Sequence, residues 1–166
     1  PEMKATAVRV SFPHDLYRSL KGGRPFLLME CTPSSQNWAP VMKLKRPGVH
    51  RLEALQAVAH GADSVQYFQW RAGRGGAEKF HGAVVAHDGT EHTRVFENVA
   101  EVGRILETLD PIVGTSVTPE VAVVFDWENA WAIEGSAGPR AEGRAYEETC
   151  VNHYRQMWRC GVPVDV

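Results

Sequence analysis

Pro25-Phe26-Leu27-Leu28-Met29-Glu30-Cys31-Thr32-Pro33-Ser34-Ser35 turns from apolar to polar at one residue, Glu30. The run up to Met29 reads as a fully buried strand. Short apolar runs without alternation belong to parallel sheets covered on both faces. A carboxylate at the end of such a run needs a use. In parallel α/β proteins the carboxyl ends of the strands carry the chemistry.

Upstream, the spacing predicts a short helix over His14 to Leu20, closed by Lys21-Gly22-Gly23. Downstream, a polar and aromatic loop from Cys31 to Pro47 contains Asn37-Trp38-Ala39-Pro40. Pro47-Gly48 then opens a helix whose apolar positions Leu52, Leu55, Val58 and Ala59 recur at three- and four-residue steps, and Gly61 ends it. Ser64 to Trp70 is β-prone and reads as the next strand. A second acidic group, Glu78, follows in a glycine-rich loop that runs on to His81-Gly82. Two strand ends, each delivering polar groups beside a tryptophan, read as part of a sugar-binding cleft. Gly82 to Ala86 is a short apolar segment. An amphipathic helix follows with Val95, Val99, Val102, Leu106 and Leu109 on one stripe, capped by Thr93 or Thr90 and stopped by Asp110-Pro111.

The last third changes character. Ile112 to Pro119 reads as a linker or short strand, Glu120 to Asp126 as a buried strand, and Gly135 to Gly143 as a loop. A helix is expected near Glu142 to Cys160, its inner face marked by Tyr146, Cys150, Tyr154 and Met157 or Trp158; Val162 to Val166 opens another strand. This second βαβ beginning places a domain boundary near residue 111. The tip Asp126-Trp127-Glu128-Asn129 lacks the spacing of a dinucleotide or phosphate loop and reads as structural.

The 166 residues are 43% hydrophobic and 23% charged, with a formal net charge of -2. No basic stripe exists to hold phosphate backbones, so nucleic acid is not an expected partner. No apolar run is long enough to cross a membrane. The three cysteines, Cys31, Cys150 and Cys160, are odd in number and widely spaced. They predict a reducing, cytoplasmic setting and no structural zinc. His50 and His60 stand ten residues apart around a helix, a poor ligand spacing, and capping or solvation is the expected role. No metal and no cofactor is expected. The absence of an initiating Met and an end at the opening of a strand, Gly161 to Val166, predict a piece of a longer chain. Two or three strand–helix units, too few to close a barrel, predict the same.

Three blocks in order resemble glycoside hydrolase family 42, the microbial β-galactosidases. They are Phe26 to Ser34 with Asn37-Trp38-Ala39-Pro40, then Ala57 to Arg71, then Glu78-Lys79-Phe80-His81-Gly82-Ala83. The resemblance covers nearly the whole chain. It implies an α/β fold: the last two strand–helix units of a (β/α)₈ barrel over residues 1–111, then the start of a flavodoxin-like trimerisation domain over 112–166. It implies that Glu30 is the catalytic nucleophile of a retaining β-galactosidase, that Trp38 lines the sugar subsite, and that Glu78 and His81 hydrogen-bond galactose hydroxyls. The family's acid/base glutamate has no counterpart here, and its cysteine-ligated metal lies upstream. Cys31 departs from the small or polar residue usual in relatives. The resemblance further implies a homo-trimeric parent, a β-galactoside substrate and a non-proline cis peptide after Trp70.

Such a site needs an ionised carboxylate for attack and a protonated one for the leaving group. Arg71 is the expected positive charge near Glu30. Trp38 offers a flat apolar face to a sugar ring, while Trp70 either floors the pocket or packs in the core. The 166 residues alone are expected to be inactive for want of the acid. Two other readings compete: a non-catalytic α/β binding or assembly module, with Glu30 turned from any cleft or paired within the core, and a metal-dependent hydrolase.

Overall fold

The computed structural model describes residues 2–138 and 142–166. Pro1, and residues 139–141 within the loop expected over Gly135 to Gly143, lie outside the described residues. In chain order the elements are α1 (Glu2–Ser19), β1 (Phe26–Cys31), α2 (Val49–Ala59), β2 (Ala62–Tyr67), a 3₁₀ turn (Ala77–Phe80), α3 (Arg94–Glu107), a second 3₁₀ turn (Asp110–Ile112), β3 (Val121–Ala122), α4 (Trp127–Gly135), α5 (Tyr146–Arg159) and β4 (Val164–Asp165). They form two compact units, Pro25–Thr115 and Pro1–Arg24 with Ser116–Val166.

In the unit over 25–115, β1 and β2 are parallel neighbours, as the sequence predicts. Gly48, at φ 82°, turns the chain into α2, and Gly61 closes that helix, its amide donating to the Val58 carbonyl at 2.9 Å. The crossover then returns the chain beside β1. The register pairs Phe26 with Ala62, Leu28 with Val65 and Cys31 with Tyr67. Between the last two pairs β1 spends three residues where β2 spends two. That extra residue is a bulge over Met29-Glu30. It breaks the in–out alternation, so Met29 and Glu30 are both exposed. The expectation of a fully buried strand is corrected here: Leu27 and Met29 are exposed, because β2 is the one strand paired with β1 among the described residues.

The strand expected over Ser64 to Trp70 stops at Tyr67. The chain bends at a cis peptide between Phe68 and Gln69, not after Trp70 as expected. Residues 69–72 then run beside the buried segment 82–85: the Val84 amide donates to the Gln69 carbonyl at 2.9 Å and the Val85 amide to the Trp70 carbonyl at 2.8 Å. The segment 82–86 is therefore held by a parallel pairing without forming a named strand. Thr93, not Thr90, caps α3, its hydroxyl oxygen accepting from the Phe96 amide at 3.2 Å. Val102 on the predicted stripe is buried.

In the other unit α1 is far longer than the predicted His14 to Leu20, running from Glu2 through Pro13. Its inner face alternates apolar and polar groups, Val8, Ser11, Phe12, Asp15 and Arg18, all buried. That mixture hid the period. Most polar atoms of this face are bonded: Arg18 donates to Asp15 at 2.9 Å, to the Val164 carbonyl at 2.8 Å and to Asp165 at 2.8 Å, and the Tyr154 hydroxyl donates to Asp15 at 2.5 Å, while the buried Arg18 Nε has no partner among the described residues. Burial, reinforced by Asp15, drives the Tyr154 hydroxyl far above its ordinary range. Phe12 packs edge-on to Tyr154, ring centres 5.4 Å apart, within a core that includes Cys150, Val151 and Val164. The inner face of α5 is the predicted one, with Trp158 rather than the exposed Met157 completing it. Asp126 is no bare tip. Its carboxylate accepts from the Asn129 amide at 2.8 Å and starts α4, a helix the sequence reading left out. Strands β3 and β4 pair in parallel over two residues each, much shorter than the run expected over Glu120 to Asp126.

Candidate active site

Glu30 stands on the β1 bulge, at the carboxyl end of the strand. It is exposed, and among the described residues its carboxylate makes no hydrogen bond or ion pair. Arg71 does not approach it: the guanidinium lies over Gly89, where a β-carbon would meet it at 2.9 Å. The next residue, Cys31, is half-buried. Lys45 donates to its sulfur at 3.4 Å and to Glu53 at 2.5 Å, tying the loop after β1 to α2. Burial raises the Cys31 thiol above its ordinary value, and Lys45 opposes this only in part. A neutral thiol adds no second negative charge beside Glu30.

The loop from Thr32 to Pro47 is fastened underneath by His50. This ring is buried rather than capping or solvated, which corrects the expectation, and it bonds the Pro33 carbonyl. Since a carbonyl only accepts, Nε2 carries the proton. Burial lowers the His50 pKa below its ordinary value; the Pro33 bond opposes that, and Lys45 and Arg94 add to it. His60, by contrast, does sit at the C-terminal end of α2.

The same loop meets the segment 77–82. The Gly82 amide donates to the Ser35 carbonyl at 2.7 Å. A β-carbon on Gly82 would collide with Ser34 Oγ and lie 2.7 and 2.8 Å from the backbone nitrogen and oxygen of Ser35. Glycine is therefore required by contact, not by a turn. Asn37 Nδ2 donates to the Ala77 carbonyl at 2.6 Å and to Glu78 Oε2 at 3.0 Å. The Glu78 carbonyl accepts from Gln69 Nε2 at 3.1 Å and from the His81 amide at 3.0 Å.

His81 is buried, with Nδ1 2.9 Å from the Gly82 carbonyl. Nδ1 is thus the donor, and in the neutral ring Nε2 is left as an acceptor. Phe68 meets the His81 ring edge-on at 5.0 Å, and the Phe68 amide donates to the Cys31 carbonyl at 3.1 Å. A continuous set of contacts thus runs from the residue after Glu30, through the β2 end, to His81. Trp38 is 73% exposed, its ring free to stack on a flat partner. Trp70 is exposed and tilted against Phe96, ring centres 6.3 Å apart, so it is not core.

The structure therefore joins Glu78 and His81 in one turn and bonds the Trp38 loop to that turn. Asn37, Gln69, Phe68 and Gly82 were not assigned roles from sequence. Two of them left a trace: Asn37 directly precedes Trp38, and Gly82 directly follows His81. Among the described residues no group of three His, Cys, Asp or Glu side chains could hold a metal ion, and no helix is long and apolar enough to cross a membrane.

The family model Glyco_hydro_42, described as "Beta-galactosidase", matches residues 1–109, and Glyco_hydro_42M, described as "Beta-galactosidase trimerisation domain", matches residues 119–166. The chain is 59% identical over 158 residues to Beta-galactosidase Pbg of Clostridium perfringens, covering 95% of this chain and 23% of that protein. It is 61% identical over 160 residues to Beta-galactosidase BglY of Alicyclobacillus acidocaldarius, covering 96% and 23%. A crystal structure of a beta-galactosidase from Rahnella sp. R3 superposes with a TM-score of 0.94 at 57% identity, over 96% of this chain and 24% of that one. The chain thus spans about a quarter of the length of the relatives it matches. Its mixed α/β architecture is that of the C-terminal part of the family's barrel followed by the start of the trimerisation domain. With the family model covering residues 1–109 of the 166, the chain belongs to glycoside hydrolase family 42.

Proposed function

We propose that the protein carrying this sequence is a retaining β-galactosidase that removes terminal β-D-galactosyl groups, with Glu30 as its nucleophile. The observation that carries this reading is the β1 bulge, which leaves an exposed and unpaired carboxylate at a strand end whose flanking loop is bonded to Glu78. The names of the relatives, all beta-galactosidases, support the substrate class. The competing reading, a non-catalytic module, predicts a Glu30 that points away from any cleft or is paired in the core, and the exposed, unpaired carboxylate speaks against the second of these.

In this reading Glu30 attacks the anomeric carbon of the bound galactoside. A protonated carboxyl about 5–5.5 Å away releases the aglycone oxygen, and water then cleaves the glycosyl–enzyme ester. That acid/base group lies outside this chain. Trp38 stacks on the C–H face of the galactose ring. Glu78 accepts from sugar hydroxyls, and His81 Nε2 accepts from another. An epimer with a misplaced hydroxyl would leave the buried His81 acceptor unpaired, which is costly. Residues 1–111 belong to the catalytic barrel and residues from 112 to the assembly domain of a homo-trimer, a reading supported by the two family matches. Three free thiols, Cys31, Cys150 and Cys160, support a cytoplasmic setting.

In the full-length enzyme, Glu30→Gln should lower kcat on a nitrophenyl β-galactoside by roughly 10³-fold or more with an unchanged melting temperature. Near-normal turnover in that variant would remove Glu30 from the chemistry.

A further inference from the structure

We propose that Asn37 is a positioning residue that presents the Glu78 carboxylate to the sugar, so that the acceptor and the Trp38 stacking face are delivered as one unit. This rests on the reading above that Glu78 binds galactose. Asn37 Nδ2 lies 2.6 Å from the Ala77 carbonyl oxygen and 3.0 Å from Glu78 Oε2. Both partners only accept, so the amide nitrogen, not its oxygen, faces them. Its two hydrogens are divided between the backbone of the 77–80 turn and the side chain that the turn displays.

The backbone of Glu78 is held separately. Its carbonyl accepts from Gln69 Nε2 at 3.1 Å and from the His81 amide at 3.0 Å. The side chain is different. It is exposed, and the Asn37 bond is what fixes it among the described residues. An exposed glutamate otherwise samples several rotamers, and a ligand that needs one of them loses affinity for selecting it. The Asn37 bond occupies Oε2 from one side and leaves Oε1 to accept a sugar hydroxyl. Trp38 follows Asn37 directly, so the donor to the carboxylate and the stacking ring stand on adjacent positions of one loop that the Asn37 bonds tie to the 77–80 turn.

A double-mutant cycle in the full-length enzyme tests this. Asn37→Ala should lower kcat/KM on a nitrophenyl β-galactoside by roughly 10-fold, the scale of one hydrogen bond to a charged group. Asn37→Asp keeps the side-chain shape but removes the donor and faces Glu78 with a like charge. It should cost at least as much, with little change in melting temperature, and it decides the matter if the alanine variant does not fold. In a Glu78→Ala background, Asn37→Ala should add almost nothing, because its target is gone. A purely structural role through the Ala77 bond would instead persist there. Full additivity, or unchanged kcat/KM in both Asn37 variants beside an impaired Glu78→Ala, overturns the inference and leaves the Glu78 assignment standing. An unimpaired Glu78→Ala overturns the Glu78 assignment, and the inference with it.

Discussion

At His50 a single buried ring joins the loop behind the site to its helix, and its protonation has a sign that can be worked out. Burial holds its folded pKa below the ordinary value of 6.5. Below that value the unfolded chain takes up a proton that the folded ring refuses. Stability contributed by the neutral ring is therefore present above pH 6.5 and lost as pH falls toward the lowered folded value. Each unit within that window costs up to about 1.4 kcal/mol. Melting midpoints of the full-length protein between about pH 5 and 7.5 should fall on acidification, and His50→Gln, which keeps a donor for Pro33, should flatten that fall. An identical acid slope in the variant would contradict this. The residue scale was unevenly legible. Glu30 could be singled out because an apolar run ended on it. The buried state of His50 could not, since nothing in the sequence announces which carbonyl a ring will meet.

Among the elements, the contact between the loop after β1 and the segment 77–82 is the tightest joint of the site. Gly82→Ala would push its β-carbon to 2.7 Å from a backbone nitrogen and 2.8 Å from a backbone oxygen of Ser35. Backbone cannot rotate aside as a side chain does, so the loops must part, at roughly 1–3 kcal/mol. Thermal melting should show that loss, together with a fall in kcat/KM as Asn37 withdraws from Glu78. A variant with wild-type stability and activity would show that the joint yields freely. The two glycines bounding α2 were readable because each rests on a local rule, and the parallel pairing of β1 with β2 because a helix separates two β-prone runs; the cap of α3 was narrowed to Thr93 or Thr90, and the structure selects Thr93. α1 was mostly missed because its inner face carries Ser11, Asp15 and Arg18 beside Val8 and Phe12, which defeats an apolar period. α4 was missed because Asp126 was weighed as a binding tip and not as a cap. The bulge under Glu30 was invisible, since register is a property of two strands and not of one.

On the scale of the whole molecule, the two family matches fall in the order the sequence predicts, yet α1 packs with residues 116–166. The 166 residues as a separate polypeptide should show no turnover above background on a chromogenic β-galactoside. On the proposed reading they supply Glu30 as nucleophile without its acid, and general acid catalysis alone is worth ~10²–10⁴-fold. An ordinary enzymatic rate from the isolated chain would contradict that. Full-length protein, by contrast, should scatter light as a trimer across a dilution series, and a monomer at micromolar concentration would contradict the assembly reading. The central claim is that Glu30 forms the covalent bond to the sugar. Its most direct test treats the full-length enzyme with an activated 2-deoxy-2-fluoro-galactoside, whose glycosyl–enzyme ester hydrolyses slowly, and maps the adduct by peptide mass spectrometry. The account predicts one fluorogalactosyl group per chain, on Glu30; an adduct on any other carboxylate, or inactivation without an adduct, would contradict it.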